Sequence, residues 1–135
     1  MRPELDAPTR AFLEAPDRFA TIATIDPDGA PLLAVIWYRL EADGSMMFNS
    51  LVGRRWPDNL LRDPRISVLV EQGYDYVAMR GEVELLHEGA AAVDDILALA
   101  AMYHTGEELE RTSARFRTQA RISFLFRPRT LLVHH

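Results

Sequence analysis

Apolar and polar residues along this chain alternate with a period of two far more often than with the helical period of 3.6. Arg18 to Ile25 sets Phe19, Thr21, Ala23 and Ile25 against Ala20, Ile22 and Thr24, which predicts a strand. Asp26-Pro27-Asp28-Gly29 has proline and glycine where a turn needs them. Pro31 to Leu40 follows as a second strand, so residues 18–40 predict a β-hairpin. Both faces of this second strand are apolar, Leu33/Val35/Trp37 and Leu32/Ala34/Ile36. A strand of that kind is covered on both sides, here by the core and by a partner subunit or a flat ligand. Met46 to Leu51, Ile66 to Val70, Tyr76 to Leu86 and Arg121 to Phe126 read as further strands, and Thr130 to Val133 as a short extension past Pro128. Gly81, in mid-strand, predicts a bulge, a bend or a close backbone approach. Helical spacing is confined to Thr9–Ala15 (stopped by Pro16), residues 90–105 and Glu107–Arg117. Six strands, mostly joined by short turns, predict a mainly β fold: a six-stranded antiparallel barrel with short flanking helices, one domain over residues 1–135.

The connection between the third and fourth strands is unusual. It holds Gly53, Arg54 and Arg55, then Trp56-Pro57, then the helical phrase Asp58-Asn59-Leu60-Leu61, ending before Pro64. Pro57 suits the first position of a helix and Asp58 its first turn. A helix start facing two arginines is suited to phosphate, because free N–H groups and planar guanidinium forks converge on it. The alternative is a solvated surface turn with ordinary arginines.

Composition narrows the chemistry. Apolar residues at 48% and charged residues at 26% describe a globular chain. The absence of cysteine removes thiol nucleophiles and cysteine-bound metals, and all 15 basic residues are arginine, which removes lysine Schiff-base chemistry and any Walker A loop. A net charge of -5 argues against nucleic-acid binding. No apolar run is long enough for a membrane span and the N-terminus does not read as a signal peptide, so a cytoplasmic location is expected. The histidines lack metal-ligand spacing, so no metal is expected. Ser50, Ser67 and Ser123 lack a nucleophile-elbow context, and Asp94-Asp95 reads as a solvated helix face. What remains is a phosphate-shaped loop, a doubly apolar strand and few acid/base groups. That profile fits a cofactor enzyme and a binding module equally well.

RFATIATIDPDGAPLLAVIWYRL, FNSLVGRRWPDNLLRDPRISVLVE and VAMRGEVELL together resemble the pyridoxamine 5'-phosphate oxidase-like, FMN-binding split β-barrel family. Within it they are most similar to the flavin and deazaflavin oxidoreductases that use coenzyme F-420. The resemblance implies a homodimer with cofactors in clefts between subunits, and hydride transfer to a small organic substrate. It implies that Ser50, Arg54, Arg55 and Asn59 hold the cofactor phosphate and that the ring lies along Val35, Ile36 and Trp37. Met79 and Arg80 are the implied contribution of the partner. Many deazaflavin-binding relatives carry a lysine where this chain has Trp56, which either packs over the cofactor or lies under the loop. That departure leaves two cofactors open, the deazaflavin coenzyme F-420 and FMN. A non-catalytic carrier of a flavin or tetrapyrrole is the remaining alternative.

Overall fold

The computed structural model describes residues 4–135. Among them are seven strands and four helices: α1 (Ala7–Glu14), β1 (Ala20–Ile25), β2 (Pro31–Ile36), β3 (Arg39–Leu40), β4 (Met46–Leu51), α2 (Arg55–Arg62), β5 (Arg65–Gln72), β6 (Asp75–Glu88), α3 (Gly89–Tyr103), α4 (Gly106–Phe116) and β7 (Arg121–His134). All strand pairs are antiparallel, in the order β2-β1-β5-β6-β7-β4-β3. The two edge strands are consecutive in the chain, separated only by Trp37 and Tyr38. A sheet whose edges are joined by so short a link must roll up on itself.

The expected six-stranded split barrel is therefore corrected to seven strands in one open, rolled sheet. The additional strand comes from a break in Pro31–Leu40. Tyr38 directs its backbone N–H to the Tyr103 hydroxyl at 3.3 Å and its own hydroxyl to the Leu13 carbonyl at 2.5 Å. Those contacts take Trp37 and Tyr38 out of the ladder. A second correction concerns β7, which runs unbroken through Pro128. Pro128 stands opposite Gly81, where the ladder shifts register, so its missing N–H fits an irregular point. A Cβ on Gly81 would lie 2.2 Å from the Arg127 carbonyl oxygen. Of the bulge, bend or close approach expected at Gly81, the structure shows a register shift together with a close backbone approach.

Strand faces sort the core. Ala20 and Ile22, Val68 and Val70, Val77 and Met79, and Phe124 and Phe126 turn into the roll with Met46, Phe48 and Leu60. A smaller cluster of Met47, Ile96, Leu99, Ala100 and Phe116 seats α3 and α4 against the other side of β4. Helix α2 begins at Arg55, so Pro57 occupies its third position rather than its first. A backbone N–H at that position would lack an intrahelical partner as well, so proline's missing donor costs nothing there. Asp58 falls in the first turn as expected.

Candidate functional site

The α3–α4 pair and the open edge of the sheet border an open cavity of about 430 Å³. Each wall has a different origin. The end of β2 supplies Val35 and Ile36, and the link that follows supplies Trp37. β4 contributes Asn49, which shares with Met47 the face turned toward α3. The β4–α2 connection brings Arg54, the first turn of α2 brings Trp56, α4 brings Thr112, Arg115 and Phe116, and β7 begins at Arg121. Pairing of Leu51 with Arg121 carries Arg121 to the mouth of the arginine loop.

The cavity has an aromatic wall. Trp37 stacks on Tyr103 with ring centroids 5.0 Å apart, and Phe116 and His104 meet its ring edge-on at 6.2 and 5.1 Å. The opposing chemistry is cationic. Arg121 is only 5% exposed, yet its hydrogen-bond partners are neutral: its Nε donates to Asn49 Oδ1 and its Nη1 to Gln119 Oε1, each at 3.0 Å. Its guanidinium also lies 4.8 Å over the Phe116 ring. Burial, then the charges of Arg54 and Arg115, lower its pKa to about 10. Among the described residues no ion pair joins Arg54, Arg115 or Arg121 to a carboxylate. Three guanidiniums converge on one space with no anion to balance them. Such an arrangement favours an anionic guest.

The residues singled out in the sequence separate into groups. Val35, Ile36, Trp37, Arg54 and Trp56 meet at the cavity. Arg55 turns away: it grips Asp26 through two hydrogen bonds of 3.0 and 2.5 Å. Asn59 is buried and donates to Thr24 Oγ1 and Asp26 Oδ1, locking the turn after β1 to α2. Those two partners, Arg55 first, hold the Asp26 carboxyl below its ordinary pKa. Ser50 is 1% exposed and bonds the Leu51 carbonyl, outside the cavity lining. Met79 is buried in the core, and Arg80 stands on the outer face of the sheet, where it lines hollows distinct from this cavity. Trp56 packs toward the core, 6.2 Å from the Phe124 ring, while bordering the cavity. Asp95 is no solvated face residue, because it bonds His87 and Ser123.

Sequence reasoning missed Asn49, His104, Arg115 and Arg121. One signal was available: Arg121 and Ser123 alternate with Ile122, Phe124 and Phe126, so they share one polar face of the strand.

Comparison with known proteins follows the geometry. The family model described as pyridoxamine 5'-phosphate oxidase matches residues 5–127. No curated protein sequence matches the chain. Solved structures share its fold. An F-420 reductase has a TM-score of 0.72 at 22% identity, over 96% of this chain and 98% of that one. A conserved hypothetical protein of Mycobacterium tuberculosis also scores 0.72, at 23% identity, over 98% of this chain and 85% of its own. The heme storage protein HutZ of Vibrio cholerae scores 0.67 at 16% identity, over 98% and 95%.

Proposed function

Because the chain belongs to the pyridoxamine 5'-phosphate oxidase family, we propose that it is an oxidoreductase built around a phosphorylated flavin-type cofactor. The deazaflavin coenzyme F-420 is the favoured cofactor and FMN the alternative. The carrying observation is buried Arg121 with exposed Arg54 and Arg115 beside it, none of the three paired with a carboxylate among the described residues, next to an aromatic wall. Arg54, Arg115 and Arg121 would take the phosphate, and Val35, Ile36, Trp37 and Phe116 the ring edge. Bound there, such a cofactor supplies hydride transfer to a small organic substrate. The chain's own part is to neutralise the anion, orient the ring and exclude water.

The reading includes a homodimer. Val35, Thr21, Leu69, Ala78 and Leu132 are register partners in one row across five strands, and Leu33, Ala23, Ser67, Arg80 and Thr130 form the next. Leu33, Val35 and Leu132 are 70%, 68% and 61% exposed. Arg80 is the single charge in those ten positions, and a wide apolar face of this kind suits a second copy. Val35 belongs to both the face and the cavity, so a partner seated there would help close the site.

Titrating the apo protein side by side with coenzyme F-420 and FMN tests this, with flavin fluorescence as readout. Saturable binding of one, weakened by salt, is expected; binding of neither removes the proposal. A carrier of heme is the second reading. It is favoured by His104, which lines the cavity and could ligate iron, and by the fold shared with a heme storage protein. A heme Soret shift lost in His104→Ala would favour it.

A further inference from the structure

The deepest cation of the cavity is held by hydrogen bonds that lead out of the cavity to a single carboxylate. Arg121 Nε donates to Asn49 Oδ1 at 3.0 Å. The Asn49 amide nitrogen donates to the Ala92 carbonyl and to Ser123 Oγ, both at 2.8 Å. Reversing that amide would set its oxygen against the Ala92 carbonyl, so its orientation is fixed. With Asn49 donating to it, the Ser123 hydroxyl turns its own hydrogen to Asp95 Oδ2, at 2.7 Å. His87 Nδ1 meets the same carboxylate oxygen, also at 2.7 Å. Every donor in the chain points one way, toward Asp95.

Ser123, Asp95 and His87 are the residue types of a hydrolytic triad in the wrong order. Serine and histidine both bond the carboxylate, and no base faces the hydroxyl. Ser123 is also fully buried.

The arrangement solves a different problem. A carboxylate placed directly on Arg121 would occupy its fork and cancel its attraction for an anion. Here the carboxylate stands two hydrogen-bonded groups away and serves as the terminal acceptor with which the intervening dipoles align. Arg121 is held rigid through Nε and Nη1, while its remaining N–H groups are left for a guest.

We propose that Asp95 and Ser123, acting through Asn49, are positioning residues for the anion-binding arginine, although neither lines the cavity. This rests on the phosphorylated-cofactor reading above. A bland role, merely fastening α3 to β7, would affect every ligand alike. The relay instead affects only the part of the affinity that comes from phosphate.

The test uses full-length wild type, Ser123→Ala, Asp95→Ala and Asp95→Asn. Two probe pairs are titrated: FMN against riboflavin, and coenzyme F-420 against its phosphate-free deazaflavin alcohol. Wild type should favour the phosphorylated member of at least one pair. Ser123→Ala and Asp95→Ala should shrink that preference about tenfold, the scale of one charge-assisted hydrogen bond, with the phosphate-free affinity unchanged. Asp95→Asn, whose amide oxygen still accepts from Ser123, should restore most of it. Thermal melting and circular dichroism identify any variant that fails to fold, and Asp95, less buried than Ser123, provides the variant less disruptive to the core. An unchanged preference in both alanine variants overturns the relay while leaving the cofactor reading intact. Equal weakening of both probes in a pair overturns it too. A wild type indifferent to phosphate sinks the cofactor reading itself, and the relay with it.

Discussion

Two arginine environments, far apart in the sequence but both bordering the β4–α2 connection, behave in opposite ways. Arg55, at the start of α2, is exposed and bidentate on Asp26. Arg121, at the start of β7, is buried against Asn49, Gln119 and the Phe116 ring, with Arg54 and Arg115 as its charged neighbours. The first is neutralised; the second is surrounded by its own sign. Position in a phosphate-shaped loop therefore does not decide which guanidinium can take an anion. Its existing partners decide it.

The comparison breaks most visibly at Arg121. Replacing it with Met should lower affinity for the phosphorylated cofactor about a hundredfold, since a buried guanidinium offers more than one charge-assisted hydrogen bond. The apo protein should melt higher, because a desolvated, repelled charge is removed and a similar volume retained. Isothermal calorimetry and a melting curve read both effects. Lost affinity with lowered stability would make Arg121 a structural residue only.

Smaller effects sharpen the contrast. Arg54→Ala and Arg115→Ala, at the exposed rim, should each weaken phosphate binding about tenfold and reduce its salt dependence. Arg55→Ala should leave that affinity within about twofold of wild type, yet lower the melting temperature. If Arg55→Ala abolishes binding while Arg54→Ala does not, the two environments have been assigned the wrong way round.

How much of this the sequence held depends on the reach of each interaction. Strand alternation is local, so β1, β4, β5 and β6 were legible, as was the bulge at Gly81. The break at Trp37–Tyr38 was not, because its cause is the Tyr103 hydroxyl on a distant helix. Of the residues that line the cavity, Val35 and Trp37 stood out in the sequence on a doubly apolar strand and Arg54 in a basic loop, with their cofactor roles implied by the family resemblance. Arg115 and Arg121 did not, since only strand pairing and helix packing bring them to the loop. Asp26 was read as part of a turn and nothing more. Its capture of Arg55 and Asn59 is a contact across about thirty residues, which no local pattern carries.

That capture predicts an acid response confined to one side of the comparison. Arg55 and Asn59 hold the Asp26 carboxyl below its ordinary value of about 4. A carboxyl with a lowered folded pKa binds fewer protons folded than unfolded. Its stabilisation is therefore present above about pH 4 and lost as pH falls through the lowered value. Asp63, held down to about 2 by Arg65, loses its contribution across a similar acid window. Asp26→Asn should accordingly lower the melting temperature at neutral pH and flatten its fall below pH 4, leaving only the slope due to Asp63 and other carboxyls. No carboxyl bonds Arg121 directly, so Arg121→Met should shift the melting curve by a similar amount at every pH in that range. If Asp26→Asn instead melts in parallel with wild type from pH 6 to 3, the ion pair is not formed in solution. Arg55 would then be free to join the anion site.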